Sequence, residues 1–267
     1  MKRILCAVLL LAVLFVIVSC AITDTPTTPS TSTPTASSEP TAEPTTASAS
    51  EPTAEPTEAP TEAPTEEPTE EPTPVPTEPI TGPEVEEGKP YFIKVNNQCN
   101  TVTVYTKGED GCYTTPYKAM ICSTGTATPQ SGTYTLKYKW KGLGLFGDVY
   151  GYYVTQITGN ILFHSVPYTT PIRDSQGYIV SVDPSTLEYW EFDKLGTAAS
   201  MGCIRLQVID AKWIYDHRDE IAGVEFYNSE VPGPLGKPEA PKISDNEECR
   251  GWDPTDPDPD NPWNKTN

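Results

Sequence analysis

One cysteine in this chain sits where its thiol could do chemistry. Cys203 lies in Ser200-Met201-Gly202-Cys203-Ile204-Arg205-Leu206, between a glycine and an arginine. Attack on a carbonyl needs the thiolate, and nearby positive charge or backbone N–H groups lower a thiol's pKa. A flanking glycine lets the main chain approach a substrate carbonyl closely enough to form an oxyanion hole. These parts suit acyl transfer through a thioester. The nucleophile also needs an imidazole, and the sequence holds 2 histidines, His164 and His217. His164 ends the apolar run Ile161-Leu162-Phe163, just before Ser165, Val166 and Pro167, at a strand terminus of the kind on which sites are often built. His217 stands in the charged stretch Tyr215-Asp216-His217-Arg218-Asp219 and reads as a solvated surface residue. No Cys/His cluster has metal-ligand spacing, and two histidines cannot build a usual zinc site, so neither metal nor cofactor is expected.

The elements that must hold these residues are mostly strands. Alternating apolar residues predict strands at 91–95, 101–106, 117–122, 133–140, 150–157 and 161–164, with a turn at 107–111 joining the second and third. Strands at such short spacing argue for a sandwich or barrel. Residues 168–197 read as an insert covering the mouth of the site. A single good helix is predicted over 207–222, with Val208, Ala211, Trp213, Ile214 and Tyr215 as its apolar stripe. Val224 to Tyr227 reads as a closing strand.

His164-Ser165-Val166-Pro167-Tyr168 and the Ser200–Leu206 run, followed by Asp210 to Asp216, together resemble the catalytic domain of L,D-transpeptidases of the YkuD type. The resemblance spans about residues 88–230, and the two motifs are specific only as a pair. It implies a mainly β fold, a β-sandwich with one or two short helices, that cross-links peptidoglycan stem peptides through a cysteine acyl-enzyme. By that similarity Cys203 is the nucleophile, His164 the general base and acid, and Ser165 an aid in orienting the imidazole. Backbone N–H groups around Gly202 and Cys203 would hold the oxyanion. Arg205 is expected either to meet a carboxylate of the donor stem or to serve the local fold. Tyr152 and Tyr153 are candidates for lining the donor pocket, although alternation would turn only one of them inward. Met201, a further substrate-binding candidate, replaces the histidine that the family usually carries two positions before the cysteine. A thioether neither takes up a proton nor carries charge, so His164 is left as the sole base. Two other readings stay open: an L,D-carboxypeptidase using water as acceptor, and a wall-binding module that has lost its chemistry.

Charge and composition divide the rest of the chain. The formal net charge is −19, but residues 24–87 carry 15 acidic and no basic side chains, whereas residues 88–243 carry 15 acidic and 14 basic ones. The domain at 88–230 is therefore close to neutral, and nucleic acid is not an expected partner, because phosphate neutralisation needs clustered Lys and Arg. Residues 1–20 have the charged start, apolar core and small-residue end of an export signal. Ile17-Val18-Ser19-Cys20 resembles a lipobox, with Cys20 as the lipid anchor to the outer face of a membrane. Residues 21–87, rich in Thr, Pro and Glu, read as a disordered tether that could reach roughly 200 Å at about 3.1 Å per residue. Residues 231–267 read as a flexible Pro/Asp-rich tail. A monomer is expected, with peptidoglycan stems and the membrane as partners. With Cys6 in the signal segment, the cysteines left are Cys99, Cys112, Cys122 and Cys249, and an oxidised Cys99–Cys122 bridge is the pairing ranked first.

Overall fold

The computed structural model describes residues 80–265; the expected signal segment, Cys20 and the tether as far as residue 79 lie outside the described residues. Along the chain come β1 (Tyr91–Asn96), β2 (Thr101–Lys107), β3 (Tyr113–Ser123), β4 (Gly132–Tyr134), β5 (Lys139–Gly144), β6 (Tyr150–Thr158) and β7 (Ile161–Ser165). They are followed by β8 (Pro171–Arg173), β9 (Ile179–Val182), α1 (Tyr189–Phe192), β10 (Ile204–Leu206), α2 (Val208–Asp216) and β11 (Ile221–Tyr227). Nine strands form one sheet in the order β4-β11-β1-β2-β3-β10-β7-β6-β5, and β8 and β9 form a separate hairpin. The fold is mainly β, as the alternating runs predict.

The long strand β3 joins two halves of a curled sheet. Its residues from Tyr113 to Ile121 pair with β2, while Cys122 and Ser123 pair with β10. Side chains alternate along a strand, so each strand can serve two faces. In β1, Ile93 and Val95 enter the main core, where they join Val102 and Val104 of the same half and Phe163, Ile204 and Leu206 of the other. Phe92 points the opposite way and packs with Tyr105 and Tyr113 in a second cluster, which Ile80 and Val85 cover. Burying side chains of this size stabilises by about 1.5–3 kcal/mol each relative to leaving them exposed.

That second cluster moves a boundary. Residues 80–87, expected to belong to the tether, are bound to the domain: the Val85 N–H donates to Gly111 O and the Tyr113 N–H to Pro83 O, both at 3.0 Å. Ile80 and Val85 are apolar residues in a run of Pro and Glu, and they find an apolar face to cover. The predicted strand at 133–140 divides into β4 and the start of β5, with Leu136 buried between them. The predicted helix stops at Asp216, because Ile221 is already claimed by the parallel ladder with Tyr91.

The C-terminal segment is not a flexible tail. Ile243, Cys249, Asp253, Asp256 and Asn261 are buried. Gln207 at the N-terminus of α2 offers no side-chain cap; instead Asp253 Oδ2 accepts from the Val208 N–H at 2.8 Å and Thr255 Oγ1 from the Ile209 N–H at 3.2 Å. Such orphan N–H groups need an acceptor, and here a segment 45 residues further along the chain supplies it. Asn261 ties the segment to itself by donating to Asp253 O and Asp256 O at 2.9 Å each. The expected Cys99–Cys122 bridge is not formed: both thiols are free. Cys122 is fully buried in the core, whereas Cys99 Sγ donates to the carbonyls of Ser229 and Glu230.

Candidate active site

Strand pairing brings the two motifs together. β10 runs parallel to β7 with Ile204 opposite Phe163 and Arg205 opposite His164. Cys203, one residue before β10, is therefore beside Leu162, and the two-residue period turns Cys203, Arg205, Leu162 and His164 to one side. All four line a single cavity of about 580 Å³. Its other walls are mostly apolar, with Trp140, Ile161 and Pro167 among them beside Gln156, Asn160 and Ser200, and Met201 stands at its rim, 66% exposed.

The imidazole is held in one tautomer. His164 is buried, and its Nδ1 lies 2.5 Å from the carbonyl oxygen of Ser165. A carbonyl only accepts, so Nδ1 carries the hydrogen and Nε2 keeps a lone pair. Burial pushes the His164 pKa down to about 4; the positive charge of Arg205 acts in the same direction, and the bond to Ser165 against it. Burial raises the Cys203 thiol, with the Leu162 N–H and the Arg205 charge pulling it down. Near neutral pH the pair is thus a neutral thiol beside a neutral imidazole. Cys203 Sγ donates to Asn160 O at 3.4 Å.

The loop carrying the thiol is tied at several points. Ser200 Oγ accepts from the Gly202 N–H at 3.1 Å and donates to Cys203 O at 2.6 Å. Thr128 Oγ1 donates to Gly202 O at 2.7 Å, and the Ala127 N–H donates to Met201 O at 3.0 Å. A Cβ on Gly202 would lie 3.0 Å from both Ala127 Cβ and Ile161 Cδ1, so the loop packs closely only with glycine there. Because the Gly202 N–H is already bonded to Ser200, it is not a free oxyanion donor, which departs from the expectation for that residue. The Cys203 N–H is the remaining one of the two.

Several predicted contacts are rearranged. Ser165 reaches the imidazole through its main-chain carbonyl; its hydroxyl instead accepts from the Tyr152 N–H at 3.1 Å and donates to Val166 O at 2.7 Å. Tyr152 and Tyr153 do not line the cavity. Tyr153 has φ +49°, which breaks the alternation, and both rings are buried side by side with centroids 4.0 Å apart. Tyr153 meets Tyr215 of α2 edge-on, and Tyr152 meets Tyr168. Arg205 is paired with Glu191 of α1, whose other carboxylate oxygen takes Lys194 at 2.6 Å. His217 is half-buried rather than free in solvent, stacking on Trp213 at 4.3 Å.

The insert at 168–197 does not cover the site. None of its residues lines the cavity, whose outer wall is the end of β5 with Leu143 and the β5–β6 connection with Leu145, Phe146 and Val149. The β8–β9 hairpin lies instead against β5, the end strand of the sheet. It lies so close that a Cβ on Gly142 would be 2.7 Å from main-chain atoms of Ser181. Glu191, Ser200 and Thr128 were absent from the sequence-derived set. Of these, only Ser200 had a local signal, a hydroxyl two residues before an N–H.

Comparison with known proteins gives four findings. The L,D-transpeptidase catalytic domain family, YkuD, matches residues 90–225. A protein of Bacillus subtilis (strain 168) described as putative L,D-transpeptidase YciB is 30% identical over 146 residues, which is 52% of this chain and 68% of that one. Among solved structures, an L,D-transpeptidase from Mycobacterium smegmatis is 18% identical with a TM-score of 0.36, over 51% of this chain and 58% of that one. A fused Zn-dependent amidase/peptidase/peptidoglycan-binding domain-containing protein from Clostridium acetobutylicum is 24% identical with a TM-score of 0.34, covering 52% of each chain. The chain thus spans about half the length of these solved structures.

Proposed function

Since the chain belongs to the YkuD family of L,D-transpeptidase catalytic domains, we propose that it transfers acyl groups between peptidoglycan stem peptides through a thioester on Cys203. The observation that carries this reading is the pair of Cys203 and His164 on neighbouring strands facing one cavity, with Nδ1–H committed to Ser165 O and Nε2 left as the acceptor.

The chemistry follows from that tautomer. His164 Nε2 takes the Cys203 proton as Sγ attacks the carbonyl carbon between the L-centre and the terminal D-residue, so thiolate forms only in the act of attack. The Cys203 N–H holds the oxyanion. When the tetrahedral centre collapses, the C–N bond breaks and the amine of the D-amino acid takes the proton back from His164. An amine of a second stem then gives a proton to Nε2 and attacks the thioester, and the departing thiolate recovers that proton. Arg205, already neutralised by Glu191, is assigned to the site's architecture and its field rather than to a substrate carboxylate. Met201 supplies apolar surface at the rim.

The protein is further proposed to act outside the cell membrane, held by lipid on Cys20 and reaching into the wall on the Thr/Pro/Glu-rich tether. Cys20→Ala should then abolish partitioning into a detergent phase. The activity itself is tested by incubating the full chain with a disaccharide-tetrapeptide, with and without an amine acceptor. Release of the terminal D-residue together with a cross-linked product supports transpeptidation. Release without any cross-link in the presence of acceptor makes the protein a carboxypeptidase, and no release from a folded chain returns it to a binding module.

A further inference from the structure

The unexpected order of the C-terminal segment creates a second concavity. Between the insert and this segment lies a cleft of about 540 Å³, within the range of small-molecule sites. Tyr189 and Trp190 form one wall and Trp252 part of the other, with Glu247, Glu248 and Arg250 around them. Trp190 is 47% exposed, and its ring stands at 80° to that of the partly buried Tyr189 with centroids 4.9 Å apart, so Trp190 offers the open aromatic face. Among the described residues, Trp190 Nε1–H, Trp252 Nε1–H and the Tyr189 hydroxyl have no hydrogen-bond partner in the protein.

The walls are fixed in advance. The Leu187 N–H donates to Gly251 O at 2.9 Å, joining the insert to the segment, and Trp263 Nε1–H donates to Cys249 O and Trp252 O at 3.0 and 3.2 Å. A preformed cleft loses little ordering entropy on binding. Its charges select against simple ions: Glu247 and Glu248 repel an anion. The positive partner for a carboxylate and an aromatic face is already present, as Arg250 lies 4.8 Å from the Tyr189 ring and 4.0 Å from Glu247. An exposed ring, unpaired donors and carboxylate acceptors together suit a ligand with an apolar face and hydroxyls. A pyranose ring has both.

We propose that this cleft binds a neutral pyranose oligosaccharide, the glycan strand bearing the acyl donor. The identification of that strand rests on the function proposed above; the carbohydrate site itself does not. The geometry links the two sites through one helical turn: α1 carries Trp190 in the cleft and Glu191 on Arg205, which lines the catalytic cavity. A glycan held there would deliver its stem toward Cys203.

The test titrates the full chain with N-acetylglucosamine tetramer and follows tryptophan fluorescence. Saturable binding is expected, weakened about tenfold or more in Trp190→Ala and in Trp252→Ala, as loss of an aromatic contact predicts. Trp190→Phe should lose less, because it keeps an aromatic face; it also serves as the folded comparison if the alanine variant is unstable. In the same variants, acylation of Cys203 by a sugar-free tetrapeptide should be unchanged, so failure of the cleft and failure of the catalytic reading give different results. No saturation at millimolar sugar, binding undiminished in Trp190→Ala, or binding of spermidine but not of sugar would each overturn the proposal.

Discussion

A buried imidazole with its pKa lowered to about 4 is unprotonated at any ordinary pH, so Nε2 is free to accept the thiol proton during attack. Replacing His164 by Ala should slow acylation by about 10²-fold or more, the usual scale for a general base. Met201→Ala should cost far less, since its side chain is mostly exposed and has no proton to exchange. Comparing acylation rates of the two variants with that of the parent chain checks both. Glu191 gives a second expectation. Its carboxylate neutralises Arg205, so Glu191→Gln should leave more of that positive charge acting on Cys203 and shift the thiol's titration to lower pH. Alkylation rate against pH measures this; a merely structural contact would lower the reactive fraction without moving the midpoint. Cys203 and His164 were legible because each sits in a short motif. Glu191 and Thr128 were not, as they meet Arg205 and Gly202 from 14 and 74 residues away.

Elements were readable where a single period decided them. The alternation in β1, β2, β6 and β7 made strands predictable, but it could not reveal that Tyr153 takes a positive φ, which sends both tyrosines into the core. The C-terminal segment has no apolar period at all. Its order comes from Asp and Asn side chains bonding to main-chain N–H and C=O groups, and from a few buried residues such as Ile243 and Cys249. Its cap on α2 can be tested by substitution. Asp253→Ala should destabilise the domain by about 1–2 kcal/mol, lowering Tm by several degrees, whereas Asp253→Asn should lose less, because its one oxygen can keep the Val208 N–H while the Thr255 donors lose their acceptor. Thermal unfolding of both variants reads the difference; equal losses would contradict the capping role.

Across the whole domain, two buried groups give opposite responses to acid. The His164 pKa is lowered from 6.5 to about 4, so between those values the unfolded chain takes up a proton that the folded one refuses, and stability falls as pH falls. The Asp253 pKa is raised, mainly by burial, from 3.8 to about 6, so between those values the folded chain takes up the proton first and acidification stabilises. Each effect is about 3 kcal/mol at most on the scale of 1.36 kcal/mol per pKa unit, and the two largely offset. Removing one should expose the other: Asp253→Asn should make the domain markedly more acid-sensitive between pH 6.5 and 4 in denaturant unfolding. The net-charge pattern placed the acidity outside the catalytic domain, but such internal titrations depend on burial, which composition does not report.

The most direct test of the central claim is to incubate the full chain with a disaccharide-tetrapeptide, stop the reaction in acid and map adducts by peptide mass spectrometry. The donor, less its terminal D-residue, is expected as a thioester on Cys203, and a chain carrying Cys203→Ser should neither form the adduct nor turn over. An adduct on Cys99, Cys112, Cys122 or Cys249 in its place, or turnover that survives Cys203→Ser, would contradict it.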